Sequence, residues 1–189
     1  TQESADKIAE PVSVDQKEQK DEGVKESNPN TQKACIIPVE GMIKNLLSVT
    51  LKRRTEEALK QGVKLIIFRV SSDGGEVGAA LEMSNYVFNL SSEIQTIAFV
   101  KKKAYSAAAL FSLACDDLYM SPGSTIGDCQ PIMPSANGYV EIGEKIQTVL
   151  RERFRTYAKV NGYPVLLAQS MVTKEYEVFS MIEEDTDKM

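Results

Sequence analysis

The alternation of apolar and polar positions divides the chain unevenly. Residues 1–33 contain no aromatic residue, and Glu, Lys, Gln, Asp and Ser dominate them. Such a segment cannot bury enough apolar surface to offset the entropy of ordering it, and it reads as a disordered polar tail or linker. A charged helix around Ala5–Val14 is the weaker reading, because Pro11 interrupts it. From Ala34 the pattern changes. ACIIPVEGMI reads as a strand, and residues 44–61 carry helical spacing through Leu47, Leu51 and Leu59, with Gly62 as the stop. VKLIIFRV (63–70) is a short apolar strand, SSDGGE a turn, and Glu76–Leu90 a helix with Val77, Leu81 and Val87 on its apolar side. A strand over Gln95–Val100, an Ala-rich helix over Tyr105–Cys115 and a short strand over Leu118–Met120 follow. The order β-α-β-α-β-α-β with apolar strands predicts an α/β fold whose parallel sheet has helices on both faces.

Beyond Pro122-Gly123 the pattern predicts a loop of small and polar residues to about Gly138. A long helix fits Ile142–Val160, with Ile146, Val149, Leu150, Phe154 and Tyr157 apolar, and Asn161-Gly162 ends it. Pro164 opens a shorter helix, Val165–Met171. The acidic stretch Glu175–Met189 has no evident structural stop, and the chain opens on Thr1. A piece of a longer protein is expected, with 34–189 as one domain cut before the natural end of its fold.

Composition narrows the chemistry. The 189 residues are 42% hydrophobic and 26% charged, which suits a globular domain. With 22 Lys and Arg against 27 Asp and Glu the net charge is -5, so no electrostatic footprint for nucleic acid exists. No apolar run approaches the ~18 residues of a membrane span. The chain has no histidine. That excludes Ser-His-Asp and Cys-His catalysis within it and removes the commonest metal ligand, so no metal or cofactor is expected. Cys35, Cys115 and Cys129 are odd in number and lack metal-binding spacing, and they read as small buried residues.

Two segments carry candidate chemistry. Ser71-Ser72-Asp73-Gly74-Gly75 lies between a strand and a helix, at the strand end where open α/β sheets bind ligands. Its glycines allow close approach of backbone N–H groups to a substrate, as an oxyanion hole or backbone clamp; a plain tight turn is the alternative. Ala104-Tyr105-Ser106-Ala107-Ala108-Ala109 places a hydroxyl at the next strand-to-helix junction among small residues, where an ordinary N-cap serine is the alternative. A serine at one strand end and backbone donors at its neighbour make two parts of an acyl-transfer site. The third part is a base. Without histidine the usual substitute is a lysine kept neutral by burial, and Lys101, Lys102, Lys103 and Lys145 are the nearby choices.

Over roughly residues 35–175 the chain resembles the Clp-protease/crotonase superfamily, and within it the membrane-associated serine protease domain of the NfeD-like (stomatin-operon partner) family. The resemblance rests on IIPVEGMI, IIFRVSSDGGEV, AYSAAALFSLACDDLYMSPGSTIGDCQPI and the lysine after NGYVEIGE. It implies a spiral of β-α units with a mainly parallel sheet. It implies Ser106 as nucleophile, Lys145 as general base, and an oxyanion hole from Gly74/Gly75 and Ala107. It also implies a peptide or membrane-protein substrate with hydrophobic segments, a stomatin-like partner, a homo-oligomer, and membrane association through other parts of the parent protein, the domain being extracytoplasmic. Signal peptide peptidase A shares the dyad on this superfold but resembles the chain less in these blocks. Ala108 stands where the family often has glycine, which would narrow the site.

Two rivals remain. One is a non-catalytic scaffold on a protease-like domain, favoured if Lys145 points into solvent. The other is a crotonase-type acyl-CoA enzyme with Glu76 and Asp73 as acid and base. If Lys145 is the base, Ile142, Ile146 and Val149 are expected to desolvate it. A β-branched residue at Gly75 is expected to impair hydrolysis far more than folding.

Overall fold

A computed structural model describes residues 33–90 and 92–179. The expected tail, apart from Lys33, and the acidic end beyond Phe179 lie outside the described residues. Strand β1 (Ala34–Glu40) leads through α1 (Asn45–Lys60) to β2 (Leu65–Ser72), and α2 (Val77–Phe88) leads on to β3 (Gln95–Tyr105). Helix α3 (Ala107–Leu113) connects β3 to β4 (Asp117–Met120). These strands form one parallel sheet in the order β1-β2-β3-β4, and β5 (Thr125–Gly127) pairs in parallel with the far end of β3.

In β2 every second residue is buried, and the intervening ones are only half-buried. The buried face carries Ile37 and Val39 from β1, Ile66, Phe68 and Val70 from β2, and Ala98 and Val100 from β3. Against it pack Leu51 of α1, Met83 of α2, and Leu110 and Phe111 of α3, with Phe68 and Phe111 edge to face at 5.2 Å between ring centroids. The expectation of helices on both faces is therefore met on one face only. The opposite face carries Ile67 and Phe99 but also Arg69 and Ser71, and it stays half-open.

The segment read as a loop after Pro122 holds β5 and a hairpin, β6 (Ile132–Ser135) and β7 (Gly138–Glu141), paired antiparallel apart from the main sheet. Helix α4 (Glu144–Val160) follows, then α5 (Val165–Ser170). The C-terminal half of α4 is fastened to the framework: Phe154, Tyr157 and Ala158 are buried, and the Tyr157 hydroxyl bonds Asn85 Oδ1 at 2.8 Å. Beyond its end, Asn161 Nδ2 donates to the carbonyls of Leu113 and Cys115, each at 2.9 Å. Among the described residues no helix is long and apolar enough to cross a membrane.

Candidate active site

Pairing of β2 continues two residues past its apolar run, as far as Ser72 opposite Ala104. Ser72 is buried; its hydroxyl donates to the Gly41 carbonyl at 2.5 Å and accepts the Gly74 N–H at 3.0 Å. Gly74 then turns at φ +98°, a conformation that favours glycine. Any Cβ there would lie 2.7 Å from Ser106 Cβ and 3.2 Å from the Ala107 nitrogen, so the loop lies directly against the serine. Ile43 N–H donates to the Gly74 carbonyl at 2.8 Å, and Glu76 N–H to the Ile43 carbonyl at 2.9 Å. The two glycines thus divide their roles. The Gly74 N–H is already engaged, whereas the Gly75 N–H has no protein acceptor among the described residues and Gly75 is exposed. Gly75 also packs on backbone: a Cβ would strike the Ile43 carbonyl oxygen and lie 2.7 Å from its carbon. The expectation for Gly75→Val is corrected accordingly, since that side chain would disrupt folding as well as chemistry.

The serine is set by β3. Val70 pairs with Val100, but Ser72 pairs with Ala104, so β3 holds extra residues opposite Ser71. These are in Lys101–Lys103, and such a bulge bends and re-aims a strand. Ser106 follows at φ 53°, ψ -116°. A non-glycine residue in this region costs on the order of 1–3 kcal/mol, which the surroundings must supply. They do so through Ser106 N–H to the Gly127 carbonyl at 2.9 Å, and through the Ser106 carbonyl, which accepts Ala109 N–H at 3.0 Å and Leu110 N–H at 3.2 Å. The Ser106 side chain makes no helix-cap hydrogen bond, unlike an ordinary N-cap serine. At the start of α3 the Ala107 N–H has no acceptor among the described residues, as first-turn donors generally lack one.

A cavity of about 80 Å³ opens beside this junction. Gly75, Ser106 and Ala107 border it, and Val77, Leu110 and Phe154 are among its apolar walls. Cys129 lines it too; burial pushes its thiol up to about 12, and the Sγ–H faces the Ser106 carbonyl at 3.8 Å. The thiol is therefore neutral packing at ordinary pH. Ala108 is fully buried and does not line the cavity.

The structure thus brings Gly74, Gly75, Ser106 and Ala107 together. Lys145 lies outside the cavity lining, exposed in the first turn of α4. Ile146 and Val149 are 43% and 46% exposed, so within a single chain they do not provide the expected desolvation. Even so, Lys145 shares its helix with Leu150 and Phe154, which line the cavity, and Ile142 N–H bonds the cavity-lining Pro131 at 3.0 Å. Lys103 is ion-paired with Asp73. That engages both the alternative base and one of the two acidic candidates, and Glu76 is exposed outside the cavity lining. Sequence reasoning missed the role of Ser72 in fastening the turn, whereas Cys129 is the small buried residue it was read as. The serine directly before Asp-Gly-Gly, a residue type that bonds its own turn, was the signal for Ser72.

Parallel β-α units with a serine at a strained strand-to-helix junction make a fold like that of the Clp proteases. ClpP1 from Listeria monocytogenes superimposes with a TM-score of 0.55 at 19% identity, over 71% of this chain and 76% of that one. The chain belongs to the NfeD family: the family model described as NfeD1b, N-terminal domain, matches residues 33–189. Membrane protein NfeD1b of Bacillus subtilis (strain 168) is 34% identical over 96 residues, which span 51% of this chain and 22% of that relative. The fold matches a membrane-bound stomatin-specific protease, 1510-N. A serine-to-alanine variant of it aligns with TM-score 0.70 at 23% identity, over 76% of this chain and 71% of that one. A lysine-to-alanine variant in complex with a substrate peptide aligns with TM-score 0.70 at 23% identity, over 77% and 68%.

Proposed function

We propose that this chain is a serine endopeptidase domain that works through a Ser106–Lys145 dyad. The observation that carries the reading is Ser106 itself. It sits in a strained elbow with its hydroxyl free of capping duty, beside an apolar cavity that Gly75 and Ala107 also border, two residues whose backbone N–H groups lack acceptors among the described residues. In a chain without histidine, lysine is the base that can take the serine proton. Ser106 Oγ attacks the scissile carbonyl while neutral Lys145 accepts its proton and passes one to the leaving amine. The Gly75 and Ala107 N–H groups hold the oxyanion, each such donor lowering the barrier by about 3–4 kcal/mol. Water then releases the acyl group from Ser106.

An uncharged cavity suits an apolar substrate side chain. Together with the stomatin-specific relative, this supports hydrophobic segments of membrane-associated proteins as substrates, with a stomatin-like protein as partner. Assembly of several copies would cover the exposed first turns of α4 and bring Lys145 to Ser106. Membrane attachment through the parent protein, an extracytoplasmic position and a polar tail over 1–33 belong to the same reading. The test is hydrolysis of an apolar peptide by the full chain. Ser106→Ala is expected to abolish it; unchanged turnover in that variant would overturn the reading.

The exposure of Lys145 favours a second reading, a protease-like scaffold without activity. It predicts no peptide cleavage at any protein concentration, whereas the dyad predicts cleavage that rises more steeply than protein concentration. The acyl-CoA reading has less support, since among the described residues no Lys or Arg lines the cavity to hold the phosphates of CoA.

A further inference from the structure

The Ser71–Gly75 loop is held from two sides. Towards β1 it is tied by backbone and buried hydroxyl bonds: Gly41 N–H to the Ser71 carbonyl at 3.2 Å, the Ser72 hydroxyl to the Gly41 carbonyl, and Ile43 N–H to the Gly74 carbonyl. Towards β3, whose end leads directly into the serine, Ser72 pairs with Ala104 in the sheet, and beyond that pairing the side-chain tie is the ion pair between Asp73 and Lys103. Asp73 directly precedes Gly74, and Lys103 lies in the bulge three residues before Ser106. The pair therefore spans the seam between the element that presents the Gly75 N–H and the element that presents Ser106 and the Ala107 N–H. The gap across that seam is the width of the oxyanion hole, and a shift of about 1 Å at such a site is costly to rate.

We infer that Asp73 and Lys103 are positioning residues that set this gap by a charge clamp. The inference rests on the proposed hydrolase reading. It also gives Lys103 a role other than base, because its ammonium is engaged as the cation of the clamp. The pair is partly solvated, with side chains 39% exposed for Lys103 and 70% for Asp73, so it contributes little to global stability. Its effect belongs in the rate, and it should weaken as salt screens it.

The test uses the full chain and an alkyl fluorophosphonate, reading the rate at which Ser106 is phosphonylated, beside kcat and KM for an apolar peptide. Asp73→Asn and Lys103→Met are each expected to slow labelling and kcat roughly fivefold at low salt while KM and the melting temperature hold. The exchanged pair, Asp73→Lys with Lys103→Asp, is expected to regain more than half of the loss. Raising salt to about 1 M should slow the unaltered chain towards the single variants and leave those variants unmoved. Single variants that label at the unaltered rate, an exchanged pair no faster than the singles, or a salt-insensitive unaltered chain would each overturn the clamp. Failure of the unaltered chain to label at all would bring down the hydrolase reading and the clamp with it.

Discussion

The two halves of the candidate site are built differently. One half, the Gly74–Gly75 loop and the Ser106–Ala107 elbow, grows out of the buried sheet and is fixed by hydrogen bonds to Gly41 and Ile43, just beyond β1, and to Gly127. The other half, the β6–β7 hairpin and the first turns of α4, has little beneath it. Ile132, Met133, Tyr139 and Val140 are 54%, 48%, 74% and 45% exposed, and a two-stranded ribbon alone is marginal in water. Helix α4 itself crosses from one condition to the other, with Phe154 and Tyr157 buried and Ile146 and Val149 exposed. The proposed nucleophile and oxyanion donors are thus held in place by the fold, while the proposed base stands on an apolar surface suited to contact with another molecule.

The sharpest way to break this contrast is on the rigid side. Gly75→Val should destabilise the chain by more than about 4 kcal/mol, because its Cβ meets the Ile43 backbone; a variant melting like the unaltered chain would show that the loop yields. Phe111→Ala, which empties the site beside Phe68, should cost about 3–5 kcal/mol in urea unfolding, and a loss under 1 kcal/mol, roughly, would mean that the core collapses into the gap.

A smaller effect comes from the buried thiols. Burial pushes Cys129 from an ordinary value of 9.0 up to about 12, and Cys115 rises too for the same reason. As pH climbs above 9.0 the unfolded chain loses these protons while the folded chain keeps them. The folded state then binds more protons, so its stability falls as pH rises towards 12. Between about pH 8 and about pH 10.5 the Cys129 thiol alone should lower the urea midpoint by the equivalent of roughly 1–2 kcal/mol, and Cys129→Ala should flatten the profile. A midpoint equally pH-dependent in that variant would assign the effect elsewhere. The smallest change in stability belongs to the loose side: Tyr139→Ser should shift unfolding by less than about 0.5 kcal/mol yet lower peptide turnover. A large loss of stability there would show that the hairpin packs within one chain.

The same division explains what could be read from the sequence. The apolar strands and their intervening helices were legible because burial on one sheet face and on the apolar helix stripes imposes regular spacing. Gly74, Gly75 and Ser106 stood out because small residues gathered at strand-to-helix junctions. The extension of β3 through Lys101–Lys103 was hidden, since a charged bulge interrupts the apolar pattern on which a strand is recognised. The hairpin was hidden for a related reason. With apolar side chains on both strands and little core beneath them, it lacks the in-out alternation of a half-buried sheet, and Asn137-Gly138 was its one turn signal. The setting of Lys145 could not be read from spacing at all, because desolvation depends on what covers the helix and not on the helix alone.

The proposed dyad requires that Lys145 activate Ser106. The most direct measurement is the rate at which an alkyl fluorophosphonate labels Ser106 in the full chain, compared with Lys145→Ala and Lys145→Arg at matched, high protein concentration. The dyad predicts that both variants fold like the unaltered chain but label at least about 100-fold more slowly, because neither alanine nor a permanently charged guanidinium can accept the serine proton. Labelling of Ser106 at the unaltered rate in Lys145→Ala would contradict it.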